Sequence, residues 1–337
     1  MTACVETAAA PHRAAAAPRS CKRMRVAMGT TDDYEETCRL GEGAFGAVVK
    51  ARHRATGRAV AMKYLGGHVG GHAAAALLRK ARFLEACATN PFVVGSRGLA
   101  RDPATAELCL VMECGGASLD ALLRRNGSPT TPLPEATVRA TMRQLLKGAK
   151  RMHDAHVVHR DIKPENILVS DDGAVRFCDF GLAVHMAERP PYEPAGTLWY
   201  MAPEVLLDKP DYDALVDTWS LGCVMAELID GRVLFQEHDS EDQLCAIFGL
   251  LGMPTDATWP WFSSTPFGAQ IPELERQRRK CNLLGCKFPE SKLSKEGFDV
   301  LSGLLTCNPD KRLTAAAALK LPWFRRDGRA AAAGQER

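Results

Sequence analysis

The chain has 337 residues, of which 46% are hydrophobic and 25% are charged. This composition is ordinary for a globular protein and excludes a fibrous, collagen-like or wholly disordered chain. The length predicts two domains, or one large two-part domain, with enough residues to build a core. No run of about 18 apolar residues occurs, so we expect neither a membrane span nor a membrane partner.

The positive charge is concentrated at the N-terminus. The formal net charge is +3, but residues 1–30 carry five bases and one acid, which leaves 38 bases against 39 acids in the rest. A nucleic-acid-binding protein typically has a basic face or stripe. The body of this chain has no surplus of bases, so we expect no nucleic-acid partner.

Residues 1–33 and 325–337 are predicted to be disordered tails rich in Ala and Arg. The first 30 residues contain nine alanines and a basic cluster at residues 22–25. A disordered tail, a transit peptide and a short nuclear-targeting patch all fit this composition. The twelve cysteines form no Cys-x-x-Cys pair, which indicates reduced thiols. We therefore expect a nuclear or cytoplasmic protein, with the transit peptide as the alternative.

Between the tails, the residue pattern divides into a strand-rich part and a helical part. Short β-branched or apolar runs at residues 46–50, 59–64 and 108–113 predict strands, and an Ala/Leu-rich segment at 73–88 predicts one helix. After residues 113–116 the pattern becomes helical. There, apolar residues recur three or four apart: Val138, Met142, Leu145, Ala149 and Met152.

The first chemical motif is glycine-rich and runs through Gly41, Glu42, Gly43, Ala44, Phe45, Gly46, Ala47 and Val48. Such glycines let backbone amides approach phosphates without obstruction by side chains. A G-x-G-x-x-G motif alone is weak, because dinucleotide-binding folds also use it. Here the motif continues into a strand rather than a helix, although a hairpin of structural glycines is an alternative.

A lysine lies in the apolar strand that follows. Lys63 ends the run Val-Ala-Met-Lys, and a buried unpaired charge is costly, so it needs an anionic partner. Phosphate oxygens above the strand would supply one. Alternatively, the side chain reaches solvent from an edge strand.

Two later segments carry a family resemblance. The sequence HRDIKPEN spans residues 159–166, and Asp-Phe-Gly spans 179–181 after an apolar run. With Ala-Pro-Glu at 202–204, DTWSLG at 217–222 and a late Arg312, the chain resembles a eukaryotic protein kinase in motif order and spacing from about residue 34 to 324. The resemblance implies an α+β, two-lobed fold with a small β-rich N-lobe (34–115) and a larger helical C-lobe (116–324).

The resemblance also implies residue roles in transfer of the ATP γ-phosphate to Ser or Thr hydroxyls of protein substrates. Residues 41–48 would cover the phosphates, and Lys63 would hold the α- and β-phosphates. Asp179 and Asn166 would hold Mg²⁺, Asp161 would accept the hydroxyl proton, and Lys163 would meet the γ-phosphate. The adenine would lie among Leu40, Val48, Ala61, Met112 and Leu168, with hinge backbone groups from Glu113 and Gly115.

Other segments resemble the cyclin-dependent-kinase branch of this family. They are LLGMPTDATWP at 250–260, TLWY at 197–200 and NPDKR at 308–312. The Ala/Arg tail and residues 90–94 are similar to the plant F-class within that branch. The resemblance implies a monomer or a heterodimer, with a cyclin or another activating protein as an expected but unassigned partner.

The main departure from the family pattern lies in the predicted helix at 73–88. Relatives place a glutamate there that pairs with the strand lysine, whereas this chain places Lys80. Two like charges about 4 Å apart repel by roughly 4 kcal/mol at an effective dielectric of about 20. We therefore expect Lys63 and Lys80 to swing apart, which leaves Lys63 less firmly placed. This departure favours an alternative function, a nucleotide-binding scaffold with weak or no transfer.

Further departures concern regulation. No Ser or Thr lies between Gly181 and Thr197, and Tyr192 aligns with the activating phosphothreonine of relatives. Glu188 or Glu193 could supply standing negative charge instead. Two residues of the glycine motif, at 44–45, replace a phosphorylatable pair. Met201 replaces an arginine that shapes the proline-accepting pocket of relatives, so a preference for Ser/Thr-Pro sites does not follow from the resemblance. The predicted helix is Ala-rich with Arg79 and Lys80 and lacks the cyclin-contact sequence of relatives, so dependence on cyclin does not follow either.

Overall fold

A computed structural model describes residues 27–43, 46–64, 71–124, 132–188, 190–271 and 281–328. Several predictions lie outside these residues. They concern most of the N-terminal tail, the pair Ala44 and Phe45, and residues 329–337 of the C-terminal tail.

A six-stranded sheet forms the first part of the molecule, with the strand order β1-β5-β6-β4-β3-β2. All neighbouring strands are antiparallel except β1 and β5, which are parallel. The strands are β1 (Met28–Thr30), β2 (Tyr34–Gly43), β3 (Gly46–His53), β4 (Ala59–Tyr64), β5 (Ser96–Arg101) and β6 (Leu108–Glu113).

The central strands of the sheet, β4 and β6, are buried on both faces. Ala51, Val60 and Met62 face one apolar cluster together with Val111, whereas Ala61 belongs to the large core that it shares with the helices. The alternation follows from the two-residue period of a strand. Helix α1 (Gly71–Ala86) packs against β5 and β6, so its residues reach the same core. The predicted helix at 73–88 is confirmed, shifted by two residues.

The second part is mainly helical, with a few short strands near the seam. The helices are α2 (Leu119–Leu123), α3 (Glu135–Asp154), α4 (Pro203–Leu206), α5 (Leu215–Asp230), α6 (Ser240–Leu251), α7 (Pro266–Gln270), α8 (Leu284–Lys287), α9 (Lys295–Leu304) and α10 (Ala315–Ala318). The strands form two small sheets: β7 (Ala117–Ser118), β9 (Ile167–Val169) and β10 (Val175–Phe177) in one, and β8 (Val157–Val158) with β11 (Val184–His185) in the other.

Helices α3 and α5 form the centre of this part. The predicted apolar stripe of α3 is confirmed, because Val138, Met142, Leu145, Ala149 and Met152 are all fully buried. Helix α5 is buried over almost its entire length and ends at Gly231, whose φ of 71° is the left-handed conformation that glycine adopts at low cost. These two helices hold the loop between β8 and β9.

The structure differs from the predicted tails at both ends. Residues 28–30 form β1 and pair with β5, and residues 31–33 form a short 3-10 helix, so the folded part begins before Tyr34. At the other end, a 3-10 helix runs over Pro322–Gly328 and extends beyond residue 324. Pairing with a distant strand, rather than local pattern, places β1.

Among the described helices, none combines the length and apolarity that a membrane crossing requires. Within the same residues, no disulfide joins any two cysteines.

Candidate active site

A cleft of about 440 Å³ lies between the six-stranded sheet and the helical part. It brings together most of the residues that the sequence singled out for binding. Those that line it are Leu40, Gly41, Val48, Ala61, Lys63, Met112, Glu113, Gly115, Asn166, Leu168 and Asp179. Glu42, Gly43, Gly46 and Ala47 lie in the adjoining hairpin, and Asp161 and Lys163 lie in the loop beside the cleft.

The glycine motif forms the predicted hairpin. Gly43 pairs with Gly46, and Gly41 pairs with Val48, so the motif connects β2 and β3 at one end of the sheet. Gly46 has a φ of 109°, which strongly favours glycine. Strand β3 begins at this residue, so the motif leads into a strand and not into a helix.

The apolar end of the cleft is built by neighbouring strands. Ala61 and Met112 are paired residues of β4 and β6. Leu168 approaches Gly115 so closely that a Cβ there would lie 2.6 Å from its Cδ1. The backbone N–H of Glu113 donates to Gly95 O at 2.9 Å, which occupies the donor of this hinge residue.

Several lining residues were missed by the sequence prediction. They include Leu84, Val94, Leu110, Cys114, Cys178 and Phe180. Leu84 lies four residues after Lys80, and residues so spaced share a helix face, so the helix pattern could have found it. Cys178 directly precedes Asp179, and burial raises the pKa of its thiol to about 12, which disfavours a thiolate.

Two lysines meet one carboxylate at the inner end of the cleft. Lys63 Nζ donates to Asp179 Oδ2 at 2.6 Å, and Lys80 Nζ lies 3.5 Å from Asp179 Oδ1. The expectation that Lys63 and Lys80 swing apart is therefore wrong. Asp179 comes from a different segment of the chain, and its negative charge offsets the repulsion between the two ammonium groups.

The electrostatics of this cluster follow from burial and proximity. The pKa of Lys80 is lowered to about 8, chiefly by burial and also by the charge of Lys63, although Asp179 acts to raise it. Burial acts to raise the pKa of Asp179, but the charges of Lys63 and Lys80 prevail and hold this pKa at about 2. Asp179 is thus ionised at neutral pH.

A network of short hydrogen bonds orients Asp161. Thr197 Oγ1 donates to Asp161 Oδ1 at 2.7 Å, and Lys163 Nζ donates to Thr197 Oγ1 at 2.6 Å. Asn166 Nδ2 donates to Asp161 Oδ2 at 2.9 Å and to its backbone carbonyl at 2.8 Å. Lys163 Nζ also lies 3.3 Å from Asp161 Oδ2. These bonds place Thr197 directly beside Asp161.

The loop that carries Asp161 is fixed by Asp217 from α5. The two carboxylate oxygens accept the backbone N–H groups of His159 and Arg160, each at 2.9 Å. His153 Nε2 lies 3.0 Å from Asp217 Oδ2. Burial acts to raise the pKa of Asp217, but the hydrogen bond with His153 and the other partners hold it below its usual value.

Arg160 connects this loop to the segment between Gly181 and Thr197. Its guanidinium donates to Leu182 O at 2.6 Å, to Tyr212 Oη at 2.6 Å and to Glu193 O at 3.3 Å. Glu193 therefore contributes its backbone carbonyl to Arg160.

Glu188, the other residue considered as a source of standing negative charge, contacts helix α1. Its Oε2 accepts Arg79 Nη2 at 3.1 Å, in a half-exposed ion pair. Tyr192 Oη donates to the backbone carbonyl of Glu188 at 2.6 Å. A Cβ added at Gly196 would lie 3.5 Å from Met201 Cγ, so the Met201 side chain packs beside this glycine, which precedes Thr197.

Comparison with known proteins agrees with this arrangement. Residues 34–324 match the family model described as "Protein kinase domain". The chain is 46% identical over 300 residues to the rice (Oryza sativa subsp. japonica) protein named "Putative cyclin-dependent kinase F-2", covering 86% of this chain and 89% of that protein. This likeness supports the plant F-class.

Two further relatives are more distant. The chain is 37% identical over 310 residues to cyclin-dependent kinase 4 of Ovis aries, covering 86% of this chain and 95% of that protein. It is 33% identical over 317 residues to cyclin-dependent kinase G-2 of Oryza sativa subsp. indica, of which it spans 44%. The chain therefore belongs to the protein kinase family, in the cyclin-dependent-kinase branch of its serine/threonine kinases.

Proposed function

We propose that this kinase transfers the γ-phosphate of Mg²⁺-bound ATP to Ser or Thr hydroxyls from the cleft described above, with Asp161 as the catalytic base. The observation that carries the proposal is the orientation of Asp161 by Thr197 and Asn166, with Lys163 bonded to the same threonine. Phosphoryl transfer requires mainly positioning and charge neutralisation, and this network supplies positioning.

The nucleotide would enter with its adenine between the sheet and the helical part. Ala61 and Met112 on the sheet side and Leu168 on the other supply apolar surfaces for a planar base. The hairpin of β2 and β3 would cover the phosphates, and Lys63 would hold the α- and β-phosphates. In this pose the γ-phosphate would point toward the loop of Asp161 and Lys163.

The residues present fit a magnesium ion. Asp179 and Asn166 both line the cleft and offer a carboxylate and an amide oxygen, which are the hard ligands that Mg²⁺ prefers. Because the Asn166 nitrogen donates to Asp161, its side-chain oxygen is the atom left for the metal. When bound, Mg²⁺ would neutralise charge on the phosphate oxygens.

Transfer at Asp161 forms one bond to phosphorus and breaks another. The substrate hydroxyl oxygen forms a bond to the γ-phosphorus, the bond from this phosphorus to the β–γ bridging oxygen breaks, and ADP leaves. The hydroxyl proton passes to Asp161, whose carboxylate accepts it as general base. Lys163 would bind an oxygen of the transferred group and stabilise its charge.

A nucleotide-binding scaffold with weak or no transfer is the second candidate. The contact of both Lys63 and Lys80 with Asp179 favours it, because these contacts hold the carboxylate that would otherwise bind metal. The ordered network around Asp161 favours the enzyme, since a scaffold does not need it.

The partners and the compartment are inferred from the family and the tail. Protein substrates and, in general, cyclins are the partners that the cyclin-dependent-kinase branch implies. For this chain we propose a monomer, or a heterodimer with a cyclin or another activating protein. The basic cluster at residues 22–25 supports a nuclear site, with the cytoplasm as the other compartment and a transit peptide as the alternative.

The test is transfer of labelled phosphate from Mg²⁺-bound ATP to a mixed set of Ser and Thr peptides by the purified full chain, without cyclin. Asp161→Asn is the matched control, because it keeps the size of the side chain and removes the base. Transfer that the control loses would establish the enzyme and would show whether proline is required after the acceptor. ATP binding without transfer, even after addition of a cyclin, would favour the scaffold.

A further inference from the structure

The cluster of Lys63, Lys80 and Asp179 differs in charge from the arrangement that the family resemblance implies. All three side chains line the cleft, and Lys63 and Lys80 are only 7% and 5% exposed. Each ammonium contacts a different oxygen of the Asp179 carboxylate. With all three groups ionised, the cluster has a net charge of +1, whereas a glutamate in place of Lys80 would make it −1.

Occupation of the metal site would disturb this balance. If Asp179 binds Mg²⁺, its carboxylate no longer neutralises the two lysines to the same extent. A buried ammonium without an adequate anion is costly, so both lysines then require negative charge within the same cleft. The triphosphate of a bound nucleotide brings such charge, and without Mg²⁺ the net charge of +1 on the cluster attracts the same group.

The side chain of Lys80 is placed to reach it. Its four-carbon stem is flexible and carries three rotatable donors at the ammonium. A Cβ at Gly181 would lie 3.1 Å from both Cε and Nζ of Lys80, so this glycine leaves the room that the ammonium occupies. From this position, rotation of the flexible stem would let the ammonium exchange an oxygen of Asp179 for a phosphate oxygen of a bound nucleotide.

We propose that Lys80 is a second phosphate-binding lysine, which with Lys63 holds the triphosphate of ATP and makes nucleotide binding less dependent on Mg²⁺. The inference rests on the proposed function, since it requires the nucleotide to occupy this cleft. It assigns to helix α1 a direct contact with the substrate. Lys63 then shares the phosphates with Lys80 and is not positioned by an acidic side chain from that helix.

The test compares the affinities of ATP and adenosine for the full chain by titration calorimetry, with EDTA and again with excess Mg²⁺. The variant Lys80→Met removes the charge and keeps the length of the side chain. Arg82→Met is the matched control, because Arg82 is exposed on the same helix and the change removes one positive charge there too.

A charge-assisted hydrogen bond contributes about 1.5–3 kcal/mol, so Lys80→Met should weaken ATP binding in EDTA by about 10-fold to 100-fold. Adenosine binding should not change, and Arg82→Met should leave both affinities as in the wild type. Lys80→Arg should keep most of the ATP affinity in EDTA. Lys80→Glu introduces the acid that relatives carry at this position, so the fold should accommodate it. Because its charge repels phosphate, it should weaken ATP binding in EDTA more than Lys80→Met does.

The outcomes separate this inference from the proposed function. One outcome is that adenosine binds and that the ratio of ATP affinity to adenosine affinity is the same in wild type, Lys80→Met and Lys80→Glu. This outcome would overturn the role of Lys80 and leave the nucleotide site intact. A wild-type chain that binds neither ligand in either buffer would overturn both. Thermal unfolding of each variant verifies that it is folded. If Lys80→Met does not fold, the ATP affinities of Lys80→Arg and Lys80→Glu test the role of Lys80 instead.

Discussion

Thr197 bridges Asp161 and Lys163 through a single hydroxyl. Its Oγ1 donates to Asp161 Oδ1 at 2.7 Å and accepts from Lys163 Nζ at 2.6 Å. A hydroxyl can do both at once, because it carries one donor and two acceptor lone pairs. Thr197, at the end of the segment that follows Gly181, thereby links the proposed base, Asp161, to Lys163, the proposed ligand of the γ-phosphate.

Removal of this hydroxyl should therefore reduce transfer. We expect Thr197→Val to lower kcat by about 10²-fold, because misplacement of a catalytic group by about 1 Å has effects of that size. Thr197→Ser keeps the hydroxyl and should retain most of the activity. Steady-state kinetics on the best peptide substrate measures both. Full activity in Thr197→Val together with a loss in Thr197→Ser would show that the methyl group and its packing, not the hydroxyl, matter at this position.

A second prediction concerns the buried ion pair of Glu204 and Arg312. The guanidinium donates to both carboxylate oxygens, at 2.6 and 2.7 Å, and both side chains are essentially inaccessible to solvent. Loss of one partner leaves a buried charge, so Arg312→Met should reduce the free energy of unfolding by about 3–5 kcal/mol. Denaturant unfolding measures the change.

An exposed pair of the same type provides the control. Arg52 and Glu35 lie 2.7 Å apart on the surface, with about half of each side chain exposed. Water and salt screen the charges of such a surface pair, so Arg52→Met should have a much smaller effect than the buried substitution. Similar losses at Arg52 and Arg312 would contradict the assignment of Arg312 as a buried structural residue.

The segment before Thr197 should not require phosphorylation. In the unphosphorylated chain, Arg160 already donates to Leu182 O and to Tyr212 Oη, each at 2.6 Å. These neutral acceptors order the guanidinium without a phosphate. We expect treatment with a protein phosphatase to leave the transfer rate unchanged within experimental error.

Two variants sharpen this prediction. Tyr192→Phe removes the hydroxyl that aligns with the phosphorylation site of relatives and should also leave the rate unchanged. Tyr212→Phe removes a bond to a charged group and should lower the rate by about 10-fold. Phosphopeptide mapping that located an activating phosphate on Thr197 would refute the prediction, as would a loss of rate after phosphatase treatment.

Much of the site could be predicted because motif residues lie close together in the sequence. Asp161, Lys163 and Asn166 share one loop, and β4 carries both Ala61 and Lys63, so local pattern was sufficient to group them. The strand β4 was predicted with its observed bounds, Ala59–Tyr64, because apolar residues fill a short run between turn residues.

The rest depended on contacts that local pattern does not contain. The expected separation of Lys63 and Lys80 was wrong because Asp179, about a hundred residues away in the chain, lies between their charges. Strand β5 was not predicted, since Gly98 with a φ of 103° and two arginines interrupt its apolar run. Strand β1 is defined by its pairing with β5 and has no signal of its own in the sequence.

The final prediction concerns stability in acid. Glu135 accepts hydrogen bonds from Ser294 Oγ at 2.6 Å, from the Ser294 backbone N–H at 3.0 Å and from Trp323 Nε1 at 2.6 Å, and so ties the start of α3 to the C-terminal end of the fold. Burial acts to raise the pKa of Glu135, but the bonds from Ser294 and Trp323 prevail and lower it below its usual value of 4.5.

A lowered pKa in the folded state means that the unfolded chain binds this proton more readily. The stabilisation by Glu135 is therefore fully present above about pH 4.5 and is lost as the pH falls through the lower, folded-state pKa. Glu135→Gln should lower the thermal midpoint at neutral pH, and its difference from the wild type should shrink in acid. Glu290→Gln, at an exposed position, is the control and should leave the thermal midpoint at neutral pH as in the wild type. A Glu135→Gln difference that stays constant from neutral pH to acid would show that the hydrogen bonds, and not the charge of Glu135, make the contribution.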